Sequence, residues 1–203
     1  MKLLSDIAII KAGHPFRGKI SESKRPDNDQ PETNISENKK DQAYVIQIKD
    51  LDNDGSIKWD QLIRTSLTSK KSTNWLQKDD VIFAARGLRN AAGYIDEITN
   101  PTVCAPHYYV IKVTEQTILP EFLAWQLNQE KAQRYFKNLA EGSSQVSIRK
   151  ALLEAVPIII PTIEKQQAII QLANKVNEER NMLQALITNR NKQMQGIAKQ
   201  ILS

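Results

Sequence analysis

EKQQAIIQLANKVNEERNMLQALITNRNKQMQGIAKQILS, residues 164–203, reads as one long amphipathic helix, and it decides what the rest of the chain must be. Ile169, Val176, Leu183 and Ile197 recur in multiples of seven, and Ala173, Ile187, Met194 and Ile201 form a second row four residues later. That spacing is the apolar seam of a coiled coil. At about 1.5 Å per residue such a helix is roughly 60 Å long. A small domain cannot cover a stripe of that length, so the seam predicts a partner helix and a chain built as a head on a rod. The alternative is a terminal helix folded back on its own domain. Arg180 and Arg190 interrupt the seam. Charges there cost stability and fix register and partner choice.

The helix follows the apolar run Val156-Pro157-Ile158-Ile159-Ile160-Pro161, which predicts a strand. Upstream, strand signals dominate. They are Ala43–Ile48, Val81–Ala85, Gly93–Ile95, Val103–Ala105 and Tyr108–Val113, with Asn53-Asp54-Gly55 as a tight turn. Lys2–Lys11 predicts a short helix or turn leading into a strand. Leu119-Pro120-Glu121 opens an amphipathic helix through Phe122, Leu123, Trp125, Leu127, Tyr135 and Phe136, with proline where its missing N–H does no harm. Ile148–Leu153 predicts a short further helix. Residues 21–42 are polar, with almost nothing to bury, and predict a long mobile loop. The expectation is an α+β fold: a β-rich head over residues 1–161, then one long coiled-coil helix over residues 162–203.

The 203 residues suit that division, and an apolar fraction of 40% supports a core. No apolar run approaches the roughly 18 residues of a membrane span. Asp6 interrupts any signal-peptide core near the start, and the single Cys104 fits a reducing cytoplasm. Catalytic signals are weak. One cysteine and two histidines make no zinc site, and Cys104 near His107 reads as a small core residue rather than half of a nucleophile pair. There is no phosphate-cradling glycine loop and no methyl-donor motif, so no cofactor, metal or turnover is expected.

The net charge of +5 hints at a polyanionic partner, and its distribution says more. Residues 64–90 carry Arg64, Lys70, Lys71, Lys78, Arg86 and Arg89. Residues 131–150 carry Lys131, Arg134, Lys137, Arg149 and Lys150. Asn74, Asn90, Asn138, Ser143, Ser144, Gln145 and Ser147 are interleaved, a mixture suited to phosphate positioning and base-edge contacts. A solvated surface is the plain alternative. Within this set Arg86, Arg89 and Asn90 follow a buried strand and suit guanine and adenine edges, unless Arg86 bonds within the head. Lys70, Lys71 and Ser72 suit phosphates. Ser143, Ser144 and Gln145 form a polar loop that touches DNA or ends a helix. Arg17 and Lys19, with Lys24 and Arg25, flank the mobile loop and either wrap the backbone or stay solvated.

The ordered set of motifs resembles a family. Leu4-Ser5-Asp6-Ile7-Ala8 leads to Gly13; then come Tyr44–Leu51 and Leu76–Gly87. Pro120-Glu121-Phe122-Leu123-Ala124-Trp125-Gln126-Leu127, Gly142–Ile148 and Val156–Gln167 follow, with the long helix last. This is similar to the DNA specificity subunit of type I restriction–modification systems, over essentially the whole chain. The family's turn before its core strand reads Gly-Asp, where this chain has Asp79-Asp80, implying a different turn. A full family member carries two recognition domains and two such helices, so the resemblance implies a half-length form. It further implies double-stranded DNA as ligand and a homodimer through Ile169, Val176, Leu183, Ile187, Met194, Ile197 and Ile201. The paired helices would be antiparallel and the target a bipartite inverted repeat. Methyltransferase subunits holding S-adenosylmethionine are implied as partners, with a translocating nuclease subunit as a further one. Two other readings stay open: a stand-alone DNA-binding module of another phage-defence methylase, and a coiled-coil interaction protein whose head binds no DNA.

Overall fold

The computed structural model describes residues 1–16, 18, 20, 42–67, 73–87, 90–139 and 147–202, the Leu139 side chain apart. The chain divides into two compact units, Met1–Ile163 and Glu164–Ser203. The fold is α+β: a β-rich unit, then one long helix.

The first unit opens with β1 (Lys2–Leu3), the single turn α1 (Leu4–Ile7) and β2 (Ala8–Ala12). The Asp6 carboxylate accepts the Leu3 N–H at 2.8 Å, which starts α1, and Leu4 and Ile7 are buried beneath it. β3 (Gln42–Ile46), β4 (Ile63–Ser66), β5 (Asp80–Ala84), β6 (Ala92–Tyr94), β7 (Thr102–Cys104) and β8 (Tyr108–Val113) follow. Helices α2 (Pro120–Leu127), α3 (Glu130–Leu139) and α4 (Lys150–Glu154) then precede β9 (Pro157–Ile158).

Four strands run antiparallel in the order β2-β8-β5-β6; three lie in the order β4-β3-β7, with β3 and β7 parallel; β1 pairs with β9. β5 is buried along its whole length because both of its faces are covered. Its alternation sends Ile82 and Ala84 into the cluster formed with Val45, Val103 and Val110 between the two larger sheets. Phe83, on the other face, packs its ring 4.9 Å from that of Phe136 on α3.

Lys78 and Asp79 form the turn into β5. Asp79 adopts φ +70, the left-handed conformation that glycine takes without strain. The Asp79 carboxylate accepts the Tyr94 hydroxyl at 2.7 Å, so the side chain gains a bond that glycine would lack. Asp80 folds back to accept the Gln77 N–H at 2.8 Å and pairs with Lys112 at 3.0 Å.

The amphipathic helix expected from Pro120 through Phe136 is two helices. Asn128 breaks it. Its amide donates to the Ala92 carbonyl at 2.7 Å and accepts the Ala92 N–H at 2.8 Å, completing the edge of β6. A short amide that bonds backbone outside its own helix competes with helix continuation. Asn128→Ala should therefore leave the buried Ala92 peptide unsatisfied and cost about 1–3 kcal/mol. Urea unfolding measures this, and a midpoint like that of the parent would count against the amide's role.

The Val156–Ile160 strand shortens to Pro157–Ile158 for a related reason. The Gln126 amide takes both polar groups of Ile159, each at 2.8 Å, in place of a strand partner. β4 was not expected, since Ile63 is its one large apolar residue. Ile48 leaves the expected strand for a 3-10 turn over Ile48–Asp50, where Asp50 accepts the Gln47 N–H. The predicted loop falls almost wholly outside the described residues.

The second unit belongs to α5 (Ile163–Leu202), a helix of 40 residues. Along it only Gln166 and Ile170 are buried. Ile169 and Ala173 are half-buried, and the apolar seam residues from Val176 to Ile201 are 44 to 75% exposed. No helix among the described residues is long and apolar enough to cross a membrane.

Candidate nucleic-acid interface

The strand register gives the four-stranded sheet two chemically different ends. Ala84 of β5 stands opposite Tyr108, and Ala12 of β2 opposite Tyr109, so β2 and β5 finish where β8 begins. Beyond these pairs the connecting segments knit together. Ala85 donates its N–H to His107 at 2.9 Å and accepts that of Ile148 at 2.8 Å, while Arg86 and Ser147 form an antiparallel bridge. Gly13 is required here: a Cβ would lie 2.2 Å from the Ala105 carbonyl oxygen.

Arg86 is exposed at this end, and its Nε donates to Ser147 Oγ over a long 3.4 Å. The expected bond within the head is thus present but weak. Asn90 is placed differently from Arg86. It is buried, its amide donates to the Ala84 carbonyl at 3.0 Å, and its own carbonyl accepts Gln133 of α3 at 3.0 Å. It holds the segment after β5 against α3.

Arg17, Lys19, Arg89, Ser143, Ser144 and Gln145 lie outside the described residues. Lys70, Lys71 and Ser72 also lie outside. Their chain neighbours follow Ser66, which pairs with Gln42 at the start of β3, whereas the end of β3, at Ile46, pairs with Cys104. Four residues of strand, about 13 Å, separate those points.

The exposed residues around the Arg86 end are mostly cationic. Arg149 and Lys150 begin α4, and α3 shows Lys131, Arg134 and Lys137 to solvent opposite its buried Ala132 and Phe136. Glu130 and Glu154 are each paired, with Arg134 at 2.5 Å and Lys150 at 3.4 Å. The other end of the sheet carries Asp79, Asp80, Asp96, Glu97 and Glu115 against three cations: Lys78, exposed beside Asp79, and Lys112 and Lys2, engaged by Asp80 and Glu115. Burial, then Asp79, raise the Tyr94 phenol above its usual range. The Lys2 ammonium holds the Glu115 carboxyl below its own. Acidic groups therefore outnumber cations at this end, and cations outnumber acidic groups where the connecting segments converge.

Nucleophile chemistry finds no support in the geometry. Cys104 is wholly buried and burial pushes its thiol well up, while His107 is exposed on the following turn. His14 is buried against Phe16, and burial lowers its imidazole. Among the described residues no acidic, histidine and cysteine groups cluster as metal ligands. The contribution of α3 was only partly legible: its cations stand three residues apart, opposite an apolar face, a pattern that any solvated helix also shows.

No curated protein matches the sequence. The fold is similar to the HsdS subunit from Thermoanaerobacter tengcongensis, with a TM-score of 0.55 and 13% identity over 91% of this chain and 38% of that one. It is similar to the type I restriction–modification S subunit from M. genitalium, with a TM-score of 0.53 and 16% identity over 94% of this chain and 42% of that one. A chain from a structure of type I R-M complex assembly and conformational transition gives 0.50 and 14%, over 89% and 38% respectively. The chain thus spans about two-fifths of the length of these relatives. The model of the type I restriction modification DNA specificity domain matches residues 4–190, and the chain belongs to that family.

Proposed function

We propose that this chain recognises one half of a bipartite duplex DNA target and acts as a homodimer joined through α5. It would guide methyltransferase subunits, and a nuclease subunit with them, in the cytoplasm. The observation that carries the proposal is the cationic end of the head, where the segment after β5 meets Ser147 in a member of a DNA specificity family. The duplex would meet this end, with Arg86 and Arg89 at base edges and Arg149, Lys131 and Lys137 at phosphates. Lys70, Lys71, Ser72, Arg17, Lys19 and the Ser143, Ser144, Gln145 segment extend the contact along the backbone. Asn90 holds the reading segment in place rather than reading a base itself. Chemistry and S-adenosylmethionine binding belong to the partner subunits, so the purified chain given DNA, magnesium, ATP and the methyl donor should neither cut nor methylate.

Co-expression with a cognate methyltransferase, followed by sequencing of modified sites, identifies the target. On that duplex Arg86→Ala should cost about 1–3 kcal/mol, roughly 5- to 150-fold in affinity, with little change on random DNA. Lys131→Ala and Lys137→Ala should weaken both duplexes alike and flatten the salt dependence. Binding that ignores salt and all three changes would instead favour a head that docks protein.

A further inference from the structure

The connection from β5 to β6 carries Arg86, and both of its limbs are fastened to elements that carry cations. At its base the Ala84 N–H donates to the Ala91 carbonyl at 2.8 Å and the Asn90 amide donates to the Ala84 carbonyl at 3.0 Å, which closes the limbs on each other. The first limb is held by the chain just before α4. Ile148 donates its N–H to the Ala85 carbonyl at 2.8 Å, Arg86 bridges Ser147, and Arg149 and Lys150 follow directly. The second limb is held by α3. The Gln133 side-chain nitrogen donates to the Asn90 carbonyl at 3.0 Å and to the Leu127 carbonyl at 2.8 Å. The Tyr135 hydroxyl donates to the Leu152 carbonyl at 3.3 Å, so α3 and α4 are tied to each other as well.

The chemistry at Gln133 calls for an amide. Leu127 ends α2, and its carbonyl is one of the last four that the helix itself cannot bond. A side-chain NH2 has two protons, one for each of the two carbonyls. Methionine, of similar length, has none, and glutamate would set an oxygen against two oxygens. Lys137 lies one turn, about 5.4 Å, further along the same row of α3.

On the reading above, in which this end of the head meets DNA, we infer that Gln133 is a positioning residue for base recognition. Phosphate contacts fix where the head sits on the duplex, and base contacts read it. Gln133 connects the two. It holds the segment carrying Arg86 at a set distance from the cations of α3, so that Arg86 enters the groove in step with phosphates seated at Lys131 and Lys137. Gln133 touches no base. Its effect falls on the discrimination between duplexes and not on affinity for DNA in general.

The test uses the full chain as parent, Arg86→Ala, Gln133→Met and the double variant, each titrated with the matched duplex and with random duplex at one salt concentration. Gln133→Met should lower the ratio of matched to random affinity by about 5-fold or more, part of the loss expected for Arg86→Ala, with random binding held within about twofold. The double variant should lose little more than Arg86→Ala alone, because both changes act through one segment. Should Gln133→Met fail to fold, Gln133→Asn, which keeps the amide but withdraws it from both carbonyls, carries the same expectations. A merely structural Gln133 would lower the melting temperature and weaken both duplexes alike. That result, or losses that multiply in the double variant, overturns the inference while the DNA-facing reading stands. An Arg86→Ala protein with the parent's ratio brings down that reading, and the inference with it.

Discussion

In the proposed dimer, replacing Leu183 and Ile187 together with glutamate should give a monomer whose head is still folded. Both side chains are more than half exposed on α5. In a dimer each would be buried, at about 1.5–3 kcal/mol per side chain. The double change removes that contribution and places carboxylates where water is excluded, which costs several kcal/mol more. Light scattering should show the mass halved, with the thermal transition of the head unchanged. Binding to a duplex carrying both half-sites should fall by about 10²- to 10⁴-fold, the loss expected when two linked binding events become one. Affinity for a duplex with one half-site should hold. An unchanged mass would remove the seam from the account of assembly.

Phe83→Ala should have the largest effect on the head. The side chain is fully buried in the central strand β5 and fills the space beneath Phe136. Truncation of a buried phenylalanine costs about 3–5 kcal/mol, against roughly 5–15 kcal/mol for a whole domain. For a unit of this size that lowers the melting temperature by roughly 6–20 °C. The same contact seats α3, so Lys131 and Lys137 should lose their fixed positions, and weaker DNA binding should accompany the lower melting point. A melt within about 2 °C of the parent would mean that the ring contact does not seat the helix. Phe83→Leu, which restores most of the volume, should recover the larger part of the loss.

The long helix was the most legible element because its signal repeats over five heptads, and α5 spans the residues that carry that period. Tyr108–Val113 was legible because a β-branched and aromatic run ends in a polar turn on each side. Asn128 was not, since nothing local marks an asparagine that will bond a strand 36 residues earlier. The same holds for Gln126 and Ile159. Long-range side-chain to backbone bonds decide where these helices and strands stop, and they leave no period in the sequence. Of the candidate contact residues, Arg86 stands exposed as its position after a buried strand suggested. Asn90, the next residue after the Leu88-Arg89 pair, faces inward, because Ala84 and Gln133 use its amide and carbonyl groups. Residue type and spacing did not tell a side chain that faces solvent from one that holds the backbone behind it.

The opposed charges at the two ends of the four-stranded sheet have a kinetic consequence. They give the head an electric dipole along its strands, and the field of a polyanion exerts a torque on a dipole before contact. Encounters would then be biased toward the cationic end, so a larger fraction of collisions is productive and the association rate constant rises. The carboxylate end is turned away by the same field, which shortens the residence of wrongly oriented complexes. Added salt should slow capture while changing escape far less, and that asymmetry between on-rate and off-rate is the mark of an oriented approach.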